Sequence, residues 1–195
     1  DELEAMGGKW KGGRTQGHVF PSDPRPLIEA VLTTGEYVEP RANDVFETPV
    51  NLAASLVTMA DVQRGHRALE PSAGRGRIAD QLLMRGAVVT CAELLPTNAE
   101  FLRRGGFPTF TGDFLTTATL GKPFDRVVMN PPFTGQADID HVLHAFEMLA
   151  PGGVLVAVMS AGTKFRTNPK AELFRDFVAE EGGSFVDLPD GSFKE

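Results

Sequence analysis

The sequence predicts a single α/β domain built on an open, mostly parallel β-sheet with helices on both faces. The main observation is that apolar runs of strand length alternate with segments of helical periodicity from Asp61 onward. A second observation is the glycine-containing turn Glu70 to Gly76, which links the first of these strands directly to a helix. A chain of 195 residues with 42% hydrophobic residues is also long enough to bury one core.

The chain is expected to open with an arm. Residues 1–40 form this N-terminal arm, because the Gly- and Pro-rich stretch from Gly7 to Pro26 shows little periodicity. Residues 41–195 form the domain. Its first helix begins at Thr48-Pro49 and runs to about Asp61, since Thr is a good N-cap and Pro at the first helical position sacrifices no hydrogen bond.

Beyond that helix, each short apolar run predicts a strand and each segment of helical periodicity predicts a helix. Strands are expected at Arg67 to Glu70, Val88 to Glu93, Thr109 to Thr111, Arg126 to Asn130, Val154 to Ser160 and Ser184 to Leu188. Helices are expected at Arg77 to Arg85, Pro96 to Arg104, Ile139 to Leu149 and Pro169 to Glu180, with Asn168 as the N-cap of the last.

The overall charge bears on the partners of this chain. A net charge of -7 and a pI near 5.1 have the wrong sign for a protein that binds phosphates over its whole surface. Nucleic-acid binding would need a local basic face, although charge runs are also common on plain solvated surfaces. The candidate cations are Lys9, Lys11, Arg14 and Arg25 near the start, and Lys164, Arg166, Lys170 and Arg175 near the end.

Disulfide, metal and membrane sites are not expected. The single cysteine, Cys91, cannot form an internal disulfide, and no second thiol or histidine cluster stands at metal-ligand spacing. No apolar run approaches the ~20 residues that span a bilayer, and no charged-then-apolar leader opens the chain. We therefore expect a cytoplasmic protein with no metal and no membrane partner, and the oligomeric state stays open.

Small and polar residues follow the predicted strands at the edge where open α/β sheets bind ligands. After the first strand, the turn Glu70 to Gly76 lets backbone approach a ligand at a helix N-terminus. Glu93 ends the second strand, where a carboxylate can accept hydrogen bonds from ribose hydroxyls. Because Ser72, Ala73 and Gly74 depart from the nicotinamide fingerprint, the turn favours S-adenosylmethionine over NAD. Asp113-Phe114, after the third strand, supplies an acceptor for an adenine amine and a ring for its face.

The most specific motif is Asn130-Pro131-Pro132-Phe133, directly after the apolar run Val127 to Met129. The prolines hold the backbone extended and have no N–H to compete for the carbonyls. The Asn130 side-chain oxygen and the Pro131 carbonyl can therefore accept both N–H bonds of an exocyclic amine that attacks a methyl sulfonium. If the amine belongs to a nucleic-acid base, Phe133 would stack on the ring of that base, a contact that contributes about 1 to 3 kcal/mol.

These motifs and their order resemble the Rossmann-like, S-adenosylmethionine-dependent amino-methyltransferases, especially the N6-adenine DNA methyltransferases. The resemblance covers most of Phe46 to Lys194, and the order of the motifs is similar to the gamma arrangement found also in small enzymes of phages and mobile elements. It implies the class I methyltransferase fold with a sheet of the seven-stranded type, S-adenosylmethionine as cofactor, and base flipping in duplex DNA, as in restriction-modification enzymes.

The same resemblance implies which residues do what. The cofactor would be held by Phe46, Thr48, Pro49, Glu70, Pro71, Ser72, Ala73, Gly74, Gly76, Glu93, Leu94, Asp113, Phe114 and Asn130. Catalysis would use Asn130, Pro131, Pro132 and Phe133. The charge pattern, and not the resemblance, makes Lys9, Lys11, Arg14, Lys164 and Arg166 the candidate contacts for DNA.

The chain departs from this family toward its carboxyl end. Nothing between Phe133 and Glu195 is long enough for a target-recognition domain, so sequence specificity is expected to be short, absent or supplied elsewhere. The chain also stops at Gly191 to Glu195, where the last strand of the family sheet would begin, and we expect that strand to be missing.

Other substrates stay open, because Asn-Pro-Pro-aromatic motifs also occur in related enzymes that methylate RNA or protein. Adenine N6 in DNA is the main expectation. RNA (guanine N2 or adenine N6) and protein glutamine N5 are alternatives, and a cofactor-binding regulatory subunit is the non-enzyme alternative. The intact motif from Asn130 to Phe133 argues against a regulatory subunit. We assign no catalytic role to His141 or His144, because the attacking amine is neutral and its proton can leave to solvent.

Overall fold

The computed structural model describes residues 47–121, 123–189 and 191–193, together with the backbone of two short strands near the start. Those two strands, β1 (Lys9–Lys11) and β2 (Gly17–Val19), pair in antiparallel fashion. A five-stranded parallel sheet contains β3 (Arg67–Pro71), β4 (Val88–Glu93), β5 (Thr109–Thr111), β6 (Phe124–Met129) and β7 (Leu149–Ala157). The helices are α1 (Val50–Met59), α2 (Arg77–Met84), α3 (Pro96–Arg104), α4 (Ala137–Phe146) and α5 (Pro169–Glu180).

The strand order β5-β4-β3-β6-β7 confirms the predicted fold class. The chain moves outward from β3 to β5, then crosses back and continues on the other side of β3 with β6 and β7. The order therefore reverses between β3 and β6, which are hydrogen-bonded neighbours. In open α/β sheets the crevice for ligands lies at this reversal, beyond the carboxyl ends of the strands.

Two apolar layers cover the faces of the sheet. Successive strand residues point to opposite faces, so Ala68 and Val128 join a cluster with α1 and α2, whereas Leu69 and Val127 join one with α4 and α5. All four are fully buried. This burial on both faces explains why the sequence shows continuous apolar runs rather than strict alternation in its parallel strands.

Most predicted elements are present within a few residues of their expected limits. Asn168 caps α5 as expected, since its Oδ1 accepts a hydrogen bond of 2.9 Å from the Ala171 N–H. The limits expected for α4 and β7 were wrong. The helix ends at Phe146, and β7 begins already at Leu149, because an irregularity in the β6 pairing absorbs Pro151 to Gly153.

Two further expectations are corrected. Thr48 is not the N-cap of the first helix: Pro49 occupies the cap position and the helix begins at Val50. Thr48 instead hydrogen-bonds to a distant loop, described below. The segment Ser184 to Leu188 is not a strand, because it pairs with no strand of the described residues. Its Phe185 packs against Phe174 of α5 instead, with ring centroids 6.3 Å apart.

Gly76 is expected to be a stability-critical glycine. It adopts φ 81°, and a Cβ there would lie 2.7 Å from Cδ2 of the buried Leu102. Gly65 is the matched control, since its φ is 86° but no atom lies within 4 Å of an added Cβ. Gly65→Ala should lower the free energy of unfolding by about 1 to 2 kcal/mol through backbone strain, and Gly76→Ala by a further ~1 to 3 kcal/mol through overpacking. Urea denaturation measures both, and equal losses would contradict the predicted clash.

Candidate active site at the carboxyl ends of the strands

The loops after β3 and β6 begin side by side at the reversal of strand order. Ala68 pairs with Arg126 and Leu69 with Val127, so both strands run in register toward the same edge of the sheet. The loop after β3 carries the predicted cofactor turn, and the loop after β6 carries Asn130 to Phe133. The fold therefore brings the two most informative motifs of the sequence together.

The cofactor turn is held in an unusual backbone conformation. Ser72, Gly74 and Gly76 have φ values of 61°, 55° and 81°, in the left-handed region that Ser occupies only at some cost. The Ala73 N–H donates to the Ala92 carbonyl at 2.9 Å, which fastens the turn to β4. An added Cβ at Gly74 would meet nothing within 4 Å, so the backbone there is open to a ligand.

Glu93 holds this turn in place through its carboxylate. One oxygen accepts from the Gly74 N–H at 2.7 Å and the other from the Leu95 N–H at 2.8 Å. Burial raises the pKa of Glu93, and these backbone donors oppose the shift. The Asn98 side chain and the Leu94 N–H also face this carboxylate, so the predicted ribose contact of Glu93 stays a prediction.

Glu70 has a role that the sequence did not reveal. Its side chain is only 2% exposed, and Oε2 accepts a hydrogen bond of 2.6 Å from the Ala79 N–H in the first turn of α2. Gly76, at the N-cap of α2, offers no side-chain cap, so Glu70 supplies the acceptor that this helix end requires. Burial is the largest cause that raises the pKa of Glu70 well above its usual range.

Asp113 and Phe114 are positioned differently from each other. The Asp113 Oδ1 accepts from the Leu115 N–H at 2.9 Å and caps a short 3₁₀ turn, Phe114–Thr116. The Phe114 ring is buried beside α4, with its centroid 4.8 Å from that of His144 and 5.9 Å from that of His141. The Phe114 ring is part of the apolar core, and its contact with an adenine face stays a prediction.

Asn130 is oriented by Thr48, the residue before the helix cap. The Asn130 Nδ2 donates to the Thr48 Oγ1 at 3.1 Å, across a sequence separation of 82 residues. The Asn130 Oδ1 is buried and has no hydrogen-bond partner in the structure. Leaving a buried acceptor unpaired costs about 1 to 3 kcal/mol. A ligand that donates an N–H bond to Oδ1 would recover this free energy.

The other three residues of the predicted catalytic motif are buried or half-buried. Pro131 is buried and Pro132 half-buried. Phe133 is also half-buried and packs against the apolar layer that contains α1 and α2. The ring is therefore supported from one side, as a stacking platform must be.

Two more buried acceptors follow in the same loop and the start of α4. Gln136 Oε1 and Asp138 Oδ1 are buried without a hydrogen-bond partner, as is Asn130 Oδ1. Gln136 also adopts a left-handed backbone, with φ 64°. This part of the molecule has unpaired acceptors, which suits a ligand rich in N–H or O–H donors.

Asp138 is a residue that sequence analysis missed. It is fully buried, and its Oδ2 accepts from the Ser160 N–H at 2.9 Å and from the Thr163 Oγ1 hydroxyl at 3.2 Å. These bonds join the start of α4 to the loop that follows β7. The available signal was an acidic residue on the apolar face of a helix, next to Ile139 and four residues before Val142.

Some predicted site residues are not brought to this site or lie outside the described residues. Phe46, Arg14 and Arg25 lie outside them, and only backbone is described for Lys9 and Lys11. Lys164 forms an ion pair with Asp187 at 2.6 Å, and Arg166 is exposed. Lys170 pairs with Asp140 at 2.6 Å, and Arg175 donates to the carbonyls of Thr163 and Arg166.

A cavity of about 360 Å³ opens next to the cofactor turn, on the side of α1, α2 and α3. An ion pair of 3.1 Å joins Arg77 to Glu47 at its wall. The Arg75 guanidinium lies 5.8 Å from the centroid of the Phe101 ring. The lining residues are Glu47, Val50, Arg75, Arg77, Asp80, Gln81 and Phe101.

Within the described residues, no three His, Cys, Asp or Glu side chains are grouped so as to hold a metal ion. None of the helices described is long and apolar enough to cross a membrane.

Comparison with solved structures identifies the fold. A proposed RNA methyltransferase from Pyrococcus horikoshii is 26% identical, with a TM-score of 0.57 over 83% of both chains. A TehB-like S-adenosylmethionine-dependent methyltransferase from Corynebacterium glutamicum is 20% identical, with a TM-score of 0.52 over 64% of this chain and 70% of that one. A precorrin-8w decarboxylase from Methanobacterium thermoautotrophicum is 18% identical, with a TM-score of 0.54 over 70% of this chain and 76% of that one.

No protein-family model matches the chain, and no curated protein matches it significantly. The structural similarities confirm the predicted Rossmann-like fold of the class I methyltransferases.

The buried carboxyl of Glu70 should make stability depend on pH. Because its folded-state pKa is raised, its contribution to stability is complete below the ordinary Glu pKa, 4.5, and is lost as pH rises through the raised value. The free energy of unfolding of the wild type should therefore fall relative to that of Glu70→Gln as pH rises from about 4.5. Urea denaturation across this range measures the difference, and a difference that is constant with pH would refute the raised pKa.

Proposed function

We propose that this chain transfers a methyl group from S-adenosylmethionine to the exocyclic N6 amine of adenine in DNA. The observation that carries the proposal is the buried, unpartnered Oδ1 of Asn130, whose amide nitrogen is already committed to Thr48. The bond to Thr48 fixes which end of the amide is the oxygen, and that oxygen can accept from an exocyclic amine, which is a donor.

The residues around the cofactor turn fit S-adenosylmethionine. The open backbone at Gly74 leaves room for the ligand, and Glu93 at the end of β4 holds the turn by accepting from the Gly74 N–H. The turn, Glu93 and Leu94 would hold the nucleoside, with Asp113 at the adenine. The bound cofactor supplies the electrophilic methyl group of a sulfonium.

The chain itself supplies position and acceptors. Asn130 Oδ1 and the Pro131 carbonyl accept the two N–H bonds of the amine and turn its lone pair toward the methyl group. As the methyl group is transferred, positive charge develops on the nitrogen, and these oxygens stabilise it. Phe133 holds the plane of the base, as aromatic rings do for flipped or single-stranded bases.

No side-chain base is needed for this transfer. The attacking nitrogen is neutral, and its proton is lost to solvent after the methyl group has moved. The transfer assigns no role to His141, whose Nδ1 lies 2.9 Å from the Ala137 carbonyl and whose pKa is lowered by burial. Asp138 lies eight residues after Asn130, but its Oδ2 accepts from the Ser160 N–H of the loop after β7.

DNA adenine is favoured over other amines by the order of the motifs in the chain, which resembles that of the gamma N6-adenine enzymes. Methylation of RNA is the second candidate, because a proposed RNA methyltransferase is 26% identical over 83% of both chains. Both candidates use the same acceptors at Asn130 and differ in the partner surface.

A substrate panel tests the proposal directly. The protein is incubated with S-adenosylmethionine labelled in the methyl group and with duplex DNA, single-stranded DNA, RNA or protein, and the labelled products are digested to nucleosides or amino acids. Label is expected as N6-methyladenine in DNA. Label only in RNA or protein would keep the amine mechanism and refute the DNA substrate.

Asn130→Ala should separate chemistry from cofactor binding. Loss of a positioned polar group at a transition state lowers the rate by about 100- to 1,000-fold, whereas the dissociation constant for S-adenosylmethionine, to which the other cofactor residues also contribute, should change far less by calorimetry. The matched control is Asn51→Ala, on the exposed side of α1, which should behave as wild type. Full activity of Asn130→Ala would remove Asn130 from the catalytic site.

A further inference from the structure

An exposed aromatic residue lies on the loop that follows β7. Phe165 is 74% exposed and stands between two cations, Lys164 and Arg166. Single exposed apolar residues are common on protein surfaces and need no explanation by themselves. Phe165 differs from them in its location and in how firmly its loop is held.

The loop begins beside the catalytic motif. Strands β6 and β7 pair in parallel, with Met129 opposite Ala157. The Val158 N–H then donates to the Met129 carbonyl at 3.0 Å, so the chain leaves β7 next to Asn130. Parallel neighbours end at the same edge of the sheet, and the loop therefore belongs to the same edge as the proposed active site.

Buried hydrogen bonds fix the base of this loop. Asp138, fully buried at the start of α4, accepts from the Ser160 N–H and the Thr163 hydroxyl. Thr163 is itself fully buried, and its carbonyl accepts from Arg175 at 2.9 Å. Phe165 is two residues further on, so this network holds the backbone close to the residue that carries the exposed ring.

Further bonds hold the tip. The N–H groups of Phe165 and Arg166 donate to the Gly162 carbonyl at 3.0 and 2.8 Å, and Arg175 donates to the Arg166 carbonyl at 2.9 Å. The loop thus exposes a large apolar ring to solvent, while the backbone groups named above are hydrogen-bonded within the protein. Because the backbone of this loop is already held, a partner that binds here does not have to order the loop.

The charges around Phe165 favour a nucleic-acid partner. The Lys164 Nζ lies 6.0 Å from the ring centroid and pairs with the exposed Asp187. Arg166 is exposed and has its guanidinium against Gly162. In a chain of net charge -7, Lys164, Arg166 and Asp187 together leave one net positive charge beside the exposed ring. Aromatic rings among cations bind nucleic acid by stacking on bases while the cations approach phosphates.

We propose that Phe165 stacks on a base of the DNA next to the adenine that enters the active site, with Lys164 and Arg166 on the neighbouring phosphates. Removing one base from a duplex exposes the faces of its neighbours, and an apolar side chain can cover such a face. The identity of the partner as DNA rests on the function proposed above; the exposure of the ring and the hydrogen bonds of its loop do not.

Two variants of Phe165 test this interaction. Phe165→Ala should raise the dissociation constant for a duplex oligonucleotide by about 10-fold, as loss of one base stack does, with S-adenosylmethionine binding unchanged. Leu173→Ala, at a residue of α5 that is 68% exposed, is the matched control and should bind DNA as wild type. Fluorescence anisotropy of a labelled duplex measures the first constant and calorimetry the second.

Phe165→Trp tests stacking itself. In a Trp10→Phe background, which removes the chain's single natural tryptophan, the fluorescence of this variant should be quenched when duplex DNA is added. Quenching without any methylation of DNA would refute the proposed function and support the contact. Methylation of DNA without quenching, or wild-type binding by Phe165→Ala, would overturn the inference alone. Quenching by RNA but not by DNA would overturn DNA as the partner.

Discussion

The parallel pairing of β3 with β6 is the constraint on which the rest of this structure depends. The two strands are separated by more than fifty residues, and their register, Ala68 with Arg126 and Leu69 with Val127, sets the cofactor turn beside the catalytic loop. Because strand order reverses here, the loops diverge to opposite sides and leave a crevice between them. The proposed reaction needs both loops, and they lie side by side only because β3 and β6 are neighbours.

Buried carboxylates hold the loops at this edge of the sheet. Glu70 accepts from the first turn of α2, Glu93 from the cofactor turn, and Asp138 from the loop after β7. Each acid accepts at least one backbone N–H bond, which offsets part of the desolvation of the carboxylate. Irregular loops are thereby fixed without regular secondary structure, and burial raises the pKa of Glu70 and of Glu93.

The hydrogen bonds at this edge of the sheet leave some acceptors unpaired and so able to bind a ligand. Thr48 takes the amide N–H bond of Asn130, and the oxygen of that amide is left buried and unpaired. Folding therefore orients the group before any ligand arrives, which is the preorganisation that electrostatic stabilisation of a transition state requires. The unpaired Asn130 Oδ1 destabilises the fold, and a ligand whose amine donates a hydrogen bond to this oxygen would offset that cost.

The sequence by itself determined the fold class, most strand and helix positions, the Asn168 cap and the motif that contains Asn130, since burial on a sheet and capping of a helix leave local patterns. The tertiary structure decided the roles of Thr48, Glu70 and Asp138 and the absence of a strand at Ser184 to Leu188. Thr48 was expected to be the N-cap of the first helix. Its side chain instead hydrogen-bonds to that of Asn130, 82 residues further along the chain. Periodicity records only whether a residue is buried; which donor meets which acceptor depends on how strands are ordered and where loops converge.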